Sequence, residues 1–143
     1  MQVYQLMNTN VISISGDGTA AEAARLLRHY DIGALPVTGE DGRLRGIITD
    51  RDILIRCVAT DKNPAETPVA NLMTRSVVTV PADADVREAA SLMSSNQVRR
   101  LPVTKNGGLV GILSIGDIAR ARSCDMEAAL ALAEISEPTE KKR

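Results

Sequence analysis

The stretch G-R-L-R-G-I-I-T-D-R-D-I at residues 42–53 returns as G-G-L-V-G-I-L-S-I-G-D-I at residues 107–118. In both copies an apolar segment of strand-like composition ends at a hydroxyl residue, Thr49 or Ser114, and a carboxylate follows three positions later. A strand-to-helix junction that is repeated within one chain predicts two structural units built to the same plan.

The repetition extends outward from this stretch. Thr38 and Thr104 are 66 residues apart, whereas Gly42 and Gly107 are 65 apart, so the second copy lacks one residue in a turn. Two copies are too few for a solenoid and favour a pair of similar units. The other matching segments are M-N-T-N-V-I-S-I-S-G-D at 7–17 with M-T-R-S-V-V-T-V-P-A-D at 73–83, and D-I-G-A-L-P-V-T at 31–38 with Q-V-R-R-L-P-V-T at 97–104.

Each copy has the pattern of a strand, a helix, two strands and a second helix. The helices Ala20–Tyr30 and Val86–Asn96 contain good helix formers and no breaker. Pro36 cannot donate to a sheet ladder, so we expect its strand, Ala34–Thr38, to be an edge or to be interrupted. The pattern predicts an α/β (α+β) fold of two tandem β-α-β-β-α units, packed face to face with pseudo-two-fold symmetry, plus a C-terminal helix.

The boundaries follow from the repeat and from one connector-like segment, D-K-N-P-A-E-T-P at 61–68. The last residues, S-E-P-T-E-K-K-R, are polar and have no apolar periodicity, which is typical of a disordered tail. The predicted organisation is a first unit at 1–62, a linker at 63–72, a second unit at 73–123, a C-terminal helix at 124–136 and a disordered tail at 137–143.

The composition argues against several classes of function. A net charge of −1 gives no electrostatic reason to bind nucleic acid or an anionic membrane, and the lack of Trp and Phe leaves little to stack on bases. No apolar run approaches the roughly 20 residues that cross a bilayer, and no signal peptide is evident. Cys57 and Cys124 are isolated thiols that suit a reducing compartment. We expect a cytoplasmic protein.

Two explanations fit the pairs Thr49–Asp52 and Ser114–Asp117. One is structural, because S/T-x-x-D at a helix start is a capping box. The other is functional, because a carboxylate in the first helical turn can accept hydrogen bonds from both hydroxyls of a ribose. The two roles are compatible, since the hydroxyl can cap the helix while the carboxylate reaches a ligand. The pattern alone leaves both open.

The chain resembles a pair of CBS domains, also called a Bateman module, from about Val3 to Arg122. The resemblance rests on M-x(3)-V near the start of each unit, on A-L-P-V and R-L-P-V, and on G-I-I-T-D-R-D-I and G-I-L-S-I-G-D-I. No single motif is specific, but the same motifs occur in the same order twice. Within the family, the chain is similar to small stand-alone bacterial CBS-domain proteins.

The resemblance implies a regulatory ligand that contains adenosine, such as AMP, ADP or ATP, with S-adenosylmethionine or NAD as further candidates and no obligatory cofactor. In the family, the segment that here contains Thr49 and Asp52, and again Ser114 and Asp117, holds the ribose. Residues just before L-P-V contact the phosphates, and here they are Arg99 and Arg100 in the second copy and Gly33 and Ala34 in the first.

The family pattern crosses the two copies, which implies two unequal clefts. Asp52 is expected to share a cleft with the two arginines, and Asp117 to face the pair Gly33–Ala34. Arginine suits this role because its planar fork matches phosphate oxygens. The alternative for Arg99 and Arg100 is a pair of solvated arginines at a strand start.

Other chemistry has little support in the sequence. His29 is the only histidine and is expected to be an exposed polar residue, and Cys57 to be a small core or interface residue. One histidine and two scattered cysteines do not form a zinc motif, so no metal site is expected. Without a nucleophile and base pair in sight, no catalytic residue is expected either.

The sequence therefore predicts a non-catalytic sensor that binds an adenosine-containing ligand and signals to an unknown protein partner by population shift. A ligand-free adaptor and a metal- or redox-responsive module remain as alternatives. A homodimer is also expected, because Ile53, Leu54, Cys57 and Val58 form an apolar stripe that one small sheet cannot fully cover.

Overall fold

The computed structural model describes residues 1–121 and 125–136, with side chains described for these residues except 125–129 and 136. Within them the protein is a mixed α+β chain with two three-stranded sheets and five α-helices. Contacts divide it into two compact units, which are described separately below. Cys124 and the predicted tail at 137–143 lie outside the described residues.

The first unit comprises Ile12–Val77 and Gly107–Leu109. Its sheet has the order β1-β2-β3, in which β1 and β2 are parallel and β2 and β3 are antiparallel. Its apolar core includes Leu35, Val37 and Ile48, all fully buried. The elements are β1 (Ile14–Ser15), α1 (Ala20–Tyr30), β2 (Ala34–Thr38), β3 (Leu44–Thr49) and α2 (Asp50–Ile53).

The second unit comprises Met1–Val11, Val78–Asn106 and the described residues from 110 onward. Its sheet has the order β4-β5-β6, with β4 parallel to β5. Leu101, Val103 and Leu113 lie in its core. The elements are β4 (Val80–Pro81), α3 (Val86–Asn96), β5 (Arg100–Lys105), β6 (Gly108–Ser114), α4 (Ile115–Arg120) and α5 (Asp125–Ser136).

The compact units differ from the sequence repeats at their N-terminal segments. Residues 1–11 belong to the predicted first unit at 1–62, yet the Val3 N–H donates to the Ala84 carbonyl and Asn8 bridges to Ile112. In the first unit the equivalent contact is made by Val69, whose N–H donates to the Gly18 carbonyl. Each sheet is therefore completed by the segment that lies upstream of the other repeat.

The helices α1 and α3, each of which follows the first strand of its sheet, begin and end where the sequence predicts. Thr19 caps α1 by accepting the Glu22 N–H, and Asp85 caps α3 by accepting the Arg87 N–H. Both helices end at a residue in the left-handed conformation, Asp31 or Gln97. The apolar face of α1 buries Ala20, Ala23 and Leu27 against the core of the first unit.

The expectation that the Pro36 strand is an edge or is interrupted was wrong, because β2 runs unbroken from Ala34 to Thr38 and is the central strand of its sheet. Proline is tolerated there because β1 is only two residues long. β1 begins at Ile14, which pairs with Val37, so no residue of β1 lies opposite Pro36. On the other side, Pro36 pairs with Ile47 of the antiparallel β3. The missing N–H therefore costs the sheet no ladder hydrogen bond on the β1 side.

The second helix predicted for the first copy begins at Asp50 as α2 but changes character after one turn. After α2, residues Leu54–Val58 form a π-helical turn, with the Ala59 N–H donating to the Leu54 carbonyl. This turn buries Cys57 and leaves Leu54 and Val58 exposed. The predicted apolar stripe is therefore divided, with one part in the core and the other at the surface.

The C-terminal helix α5 lies against α3 and α4 of its own unit. Ala131 and Ile135 are buried in the core of that unit, whereas Leu130 and Leu132 are exposed. No helix in the described part of the chain combines the length and the apolar character that a bilayer crossing requires.

Candidate functional site

The candidate site of the first unit lies where β3 ends and α2 begins. The Thr49 hydroxyl accepts the Asp52 N–H at 3.0 Å, and Asp52 Oδ2 accepts the Thr49 N–H at 3.0 Å. This reciprocal pair is a capping box, so the structural role anticipated for these residues is confirmed. It occupies one carboxylate oxygen of Asp52.

The second unit has the same arrangement where β6 ends and α4 begins. The Ser114 hydroxyl accepts the Asp117 N–H at 3.1 Å, and Asp117 Oδ2 accepts the Ser114 N–H at 2.9 Å. The two copies therefore hold their carboxylates by the same hydrogen bonds. In each copy Oδ1 remains as the oxygen that the cap does not use.

The two Oδ1 atoms differ in what they contact. Asp117 Oδ1 lies 2.5 Å from an Arg120 nitrogen and forms an ion pair with it. Asp52 Oδ1 lies 3.8 Å from Arg56 Nε, which is too far for a hydrogen bond. Arg56 instead donates to the Leu72 carbonyl at 3.0 Å. Asp52 thus has the less occupied oxygen of the two.

The residues at the starts of β2 and β5 are linked to the same junctions by backbone hydrogen bonds. The Asp50 N–H donates to the Gly33 carbonyl, and the Ile115 N–H donates to the Arg99 carbonyl. Ala34 pairs with Thr49 across the antiparallel strands. Within the first unit the structure therefore brings Gly33 and Ala34 beside Thr49 and Asp52.

In the second unit, the corresponding hydrogen bond places the Arg99 carbonyl at the start of α4, next to Ile115, the residue that follows Ser114. Arg99 and Arg100 are exposed. All eight candidate residues thus lie at the two junctions, four in each unit. The cross-copy pairing of Asp52 with the arginines stays a prediction.

The other candidate residues lie away from the junctions or inside the core. His29 is exposed on α1, where its ring contacts Tyr30 edge to face at 4.7 Å. Cys57 is fully buried, with its sulfur 3.6 Å from the Lys62 carbonyl. Among the described residues, no three His, Cys, Asp or Glu side chains lie close enough together to hold a metal ion.

Comparison with known proteins assigns the family. The sequence pattern of the CBS domain matches residues 3–58 and again residues 69–123. The chain belongs to the CBS domain family. The tandem CBS pair inferred from the repeated motifs is therefore confirmed, together with its mixed α+β fold.

Relatives of this CBS pair include proteins of similar length. The chain is 37% identical over 134 residues to the CBS domain-containing protein YhcV of Bacillus subtilis. The match covers 94% of each chain. The solved structure of Hypoxic Response Protein I of Mycobacterium tuberculosis, with two coordinated zinc ions, matches at 38% identity over 84% of this chain and 98% of that one, with a TM-score of 0.77.

A third relative was solved with ligands bound. The CBS domain pair of protein MJ0100, in complex with 5'-methylthioadenosine and S-adenosyl-L-methionine, matches at 31% identity with a TM-score of 0.71. The match covers 84% of this chain and 94% of that one. Both ligands of that CBS pair contain adenosine.

Sequence reasoning missed the two arginines that approach the CBS carboxylates. Arg56 follows Asp52 by four residues, and Arg120 follows Asp117 by three. These are the spacings at which side chains meet on one helical face, so the spacing was a usable signal. Arg120 is 74% exposed at its side chain, so its ion pair is a weak surface contact that a ligand can displace.

Proposed function

We propose that this protein is a non-catalytic regulatory module that binds an adenosine-containing ligand at its strand-to-helix junctions. Asp52 and Asp117 accept the ribose hydroxyls in this proposal, next to Thr49 and Ser114. Binding favours one of two conformations of the protein, and a partner protein recognises the difference. The CBS pair solved with S-adenosyl-L-methionine and 5'-methylthioadenosine supports the choice of ligand class.

The observation that carries the proposal is the carboxylate in each copy whose Oδ1 the capping box does not use. A carboxylate that only capped its helix would need a single acceptor oxygen, and Oδ2 supplies it. Oδ1 is held in a fixed position because the capping box fixes the side chain. A preorganised acceptor of this kind binds a hydroxyl without a further loss of side-chain entropy.

The two junctions are proposed to differ in how easily their Oδ1 atoms can accept a ribose hydroxyl. Asp52 Oδ1 receives no hydrogen bond from the described residues, so a ribose can bind there directly. Asp117 Oδ1 must first lose or share its contact with Arg120. We therefore expect the ribose to bind Asp52 more tightly than Asp117, by the modest amount that an exposed ion pair is worth, about 0.2–1 kcal/mol.

A thermal-shift panel tests the proposal. The panel contains adenosine, AMP, ADP, ATP, S-adenosylmethionine, NAD and matched guanine nucleotides. A ligand present at about 100 times its dissociation constant stabilises the fold by about 2.7 kcal/mol and raises Tm by roughly 10 °C. If no adenosine compound raises Tm more than its guanine counterpart, the proposal fails and the ligand-free adaptor becomes the better explanation.

Arg100 is proposed to contact phosphate. Arg100→Ala should weaken binding of AMP or ATP by about 3- to 10-fold and leave adenosine binding unchanged, and the loss should shrink at high salt. Calorimetric titration at two salt concentrations measures both effects. Arg87→Ala, on the exposed start of α3, is the control. Equal losses for adenosine and AMP would assign Arg100 to packing.

Self-association is proposed through the exposed part of the π-helical turn. Leu54, Ile55 and Val58 are 57%, 46% and 51% exposed and lie within one short segment. Apolar side chains concentrated in this way usually mark an interface, and pairing about a two-fold axis is its commonest form. We therefore propose a homodimer that buries this turn.

Leu54→Glu should weaken the dimer about tenfold, because the new carboxylate would be buried without a partner. Analytical ultracentrifugation over a concentration series measures the dissociation constant. Leu130→Glu is a matched control, since Leu130 is also 57% exposed but lies on α5. A wild-type monomer at all concentrations would contradict the proposal, and a loss only in the Leu130 variant would move the interface to α5.

A further inference from the structure

The second unit contains a cavity at the end of its sheet opposite to the Asp117 junction. The cavity has a volume of about 620 Å³, which is within the usual range for small-molecule sites. It lies beside the last residues of β4 and β5, whereas Asp117 follows the end of β6, the strand to which the chain returns from β5 after a two-residue turn. Its apolar wall includes Tyr4, Met7, Ala82 and Val110.

Two opposite charges line the same cavity without neutralising each other. Asp83 and Lys105 are both exposed, and neither forms an ion pair within 4.0 Å with any described residue. An ammonium and a carboxylate that flank an apolar wall form a complementary pair of anchors for a ligand with both charges. Asn106 adds an amide to the same rim.

In the first unit an arginine side chain lies over the equivalent position. There Gly39 takes the place of Lys105, and Arg45 takes the place of Val110. The Arg45 guanidinium lies across Gly39, with Nε only 2.9 Å from the position that a Cβ would occupy, and pairs with Asp41 at 2.9 Å. The N–H of Arg43, followed by the charge of Arg45, holds the pKa of the Asp41 carboxyl below its usual value.

The two copies thus use the same backbone position differently. In the first copy an internal ion pair covers the end of the sheet. In the second copy valine replaces the arginine, and neither Asp83 nor Lys105 forms an ion pair with a residue that the structure describes. Since Asn106 replaces Asp41, the second copy also lacks the carboxylate that an arginine there would need.

We propose that this cavity binds a small apolar zwitterion of the α-amino-acid type. Lys105 binds its carboxylate, Asp83 binds its ammonium, and the apolar side chain lies against Tyr4 and Met7. The rim charges are exposed to solvent, so each contributes modestly and the expected dissociation constant lies between about 0.1 and 10 mM. The site is separate from the adenosine junctions and does not depend on them.

The test uses L-phenylalanine and two analogues that each lack one charge, phenethylamine and 3-phenylpropanoate. Methyl NMR spectra of the full chain follow Met7, Ala82 and Val110 during titration. We expect phenylalanine to bind about fivefold more tightly than either analogue, which corresponds to one rim charge pair. L-leucine and L-leucyl-L-leucine then distinguish free amino acids from short peptides.

Charge variants assign the anchors. Lys105→Met should abolish the preference for phenylalanine over phenethylamine, and Asp83→Asn should abolish the preference over 3-phenylpropanoate. Lys62→Met, which removes an exposed lysine of the first unit, should change neither preference. These ligand comparisons report on each charge separately, so a general loss of stability cannot imitate them.

A closing variant completes the test. Val110→Arg combined with Asn106→Asp and Lys105→Gly copies the ion pair of the first unit, together with the glycine that its arginine lies across, and should remove binding of all three compounds. Thermal unfolding of this variant checks that it is folded. If it is not, Lys105→Met alone tests the proposal, through the loss of the preference for phenylalanine over phenethylamine. The proposal is overturned if phenylalanine causes no shifts up to about 20 mM, or if the three compounds bind equally.

Discussion

Asp52→Ala is expected to weaken adenosine-ligand binding at its own junction by about 1.5–3 kcal/mol, which is about 10- to 150-fold. Asp117→Ala is expected to have an effect in the lower part of this range, because Arg120 already competes for its free oxygen. Each variant also loses one half of its capping box, the bond from the Thr49 or Ser114 N–H to the carboxylate, which costs up to about 1 kcal/mol of unfolding free energy and leaves the protein folded. The loss of binding therefore exceeds the loss of stability.

Calorimetric titration and urea unfolding of the same samples measure the two quantities. Asp85→Ala is the matched control, because Asp85 caps α3 by accepting the Arg87 N–H and lies outside both junctions. It should lose about 1 kcal/mol of stability and no ligand affinity. If Asp52→Ala and Asp117→Ala both bind as tightly as the parent, these carboxylates are helix caps only.

Local signals were sufficient to predict the long helices. The bounds of α1 and α3 follow from a capping residue, a breaker-free run of helix formers and an apolar face, all of which are local properties of the sequence. The capping boxes at Thr49 and Ser114 were predictable for the same reason. Each depends on contacts over three or four residues.

Features that depend on distant contacts were not predictable in the same way. The central position of β2 depends on how far β1 extends, and a two-residue strand leaves almost no pattern in the sequence. The pairing of Val3 with Ala84 joins segments from different repeats, which the repeat itself does not encode. The π-helical turn after Ile53 also had no sequence signal, because Leu54–Val58 is compatible with an ordinary helix.

The candidate site was predictable in its residues but not in its electrostatics. The motif located the carboxylates, and the structure adds that one of them is paired with Arg120 while the other is nearly free. An arginine at the right helical spacing can take either arrangement. Arg56 donates to the Leu72 carbonyl instead of to Asp52, and this hydrogen bond leaves Asp52 Oδ1 without one from Arg56.

The motif G-I-I-T begins with a glycine, Gly46, because a second backbone segment lies against it. Gly46 is buried in β3, and a Cβ there would lie 2.7 Å from the Thr74 carbonyl oxygen and 2.8 Å from Met73 Sδ. The Thr74 backbone cannot retreat, because it exchanges two hydrogen bonds of 2.9 Å with Ile47. Glycine is therefore required by the close approach of a second backbone, not by a ligand.

Gly46→Ala should accordingly lower the unfolding free energy by about 2–3 kcal/mol, since a rigid backbone must move to admit the methyl group. At the equivalent Gly111 the nearest atom is the flexible Met7 sulfur and the Asn8 carbonyl is 3.1 Å away, so Gly111→Ala should lose only about 1 kcal/mol. Gly33→Ala, whose Cβ would meet only Asp50 Oδ2 at 3.7 Å, is the control. Urea midpoints rank the three variants, and a Gly46 variant as stable as the Gly33 control would refute this explanation. Because the glycine supports packing alone, the folded Gly46 variant should keep its ligand affinity.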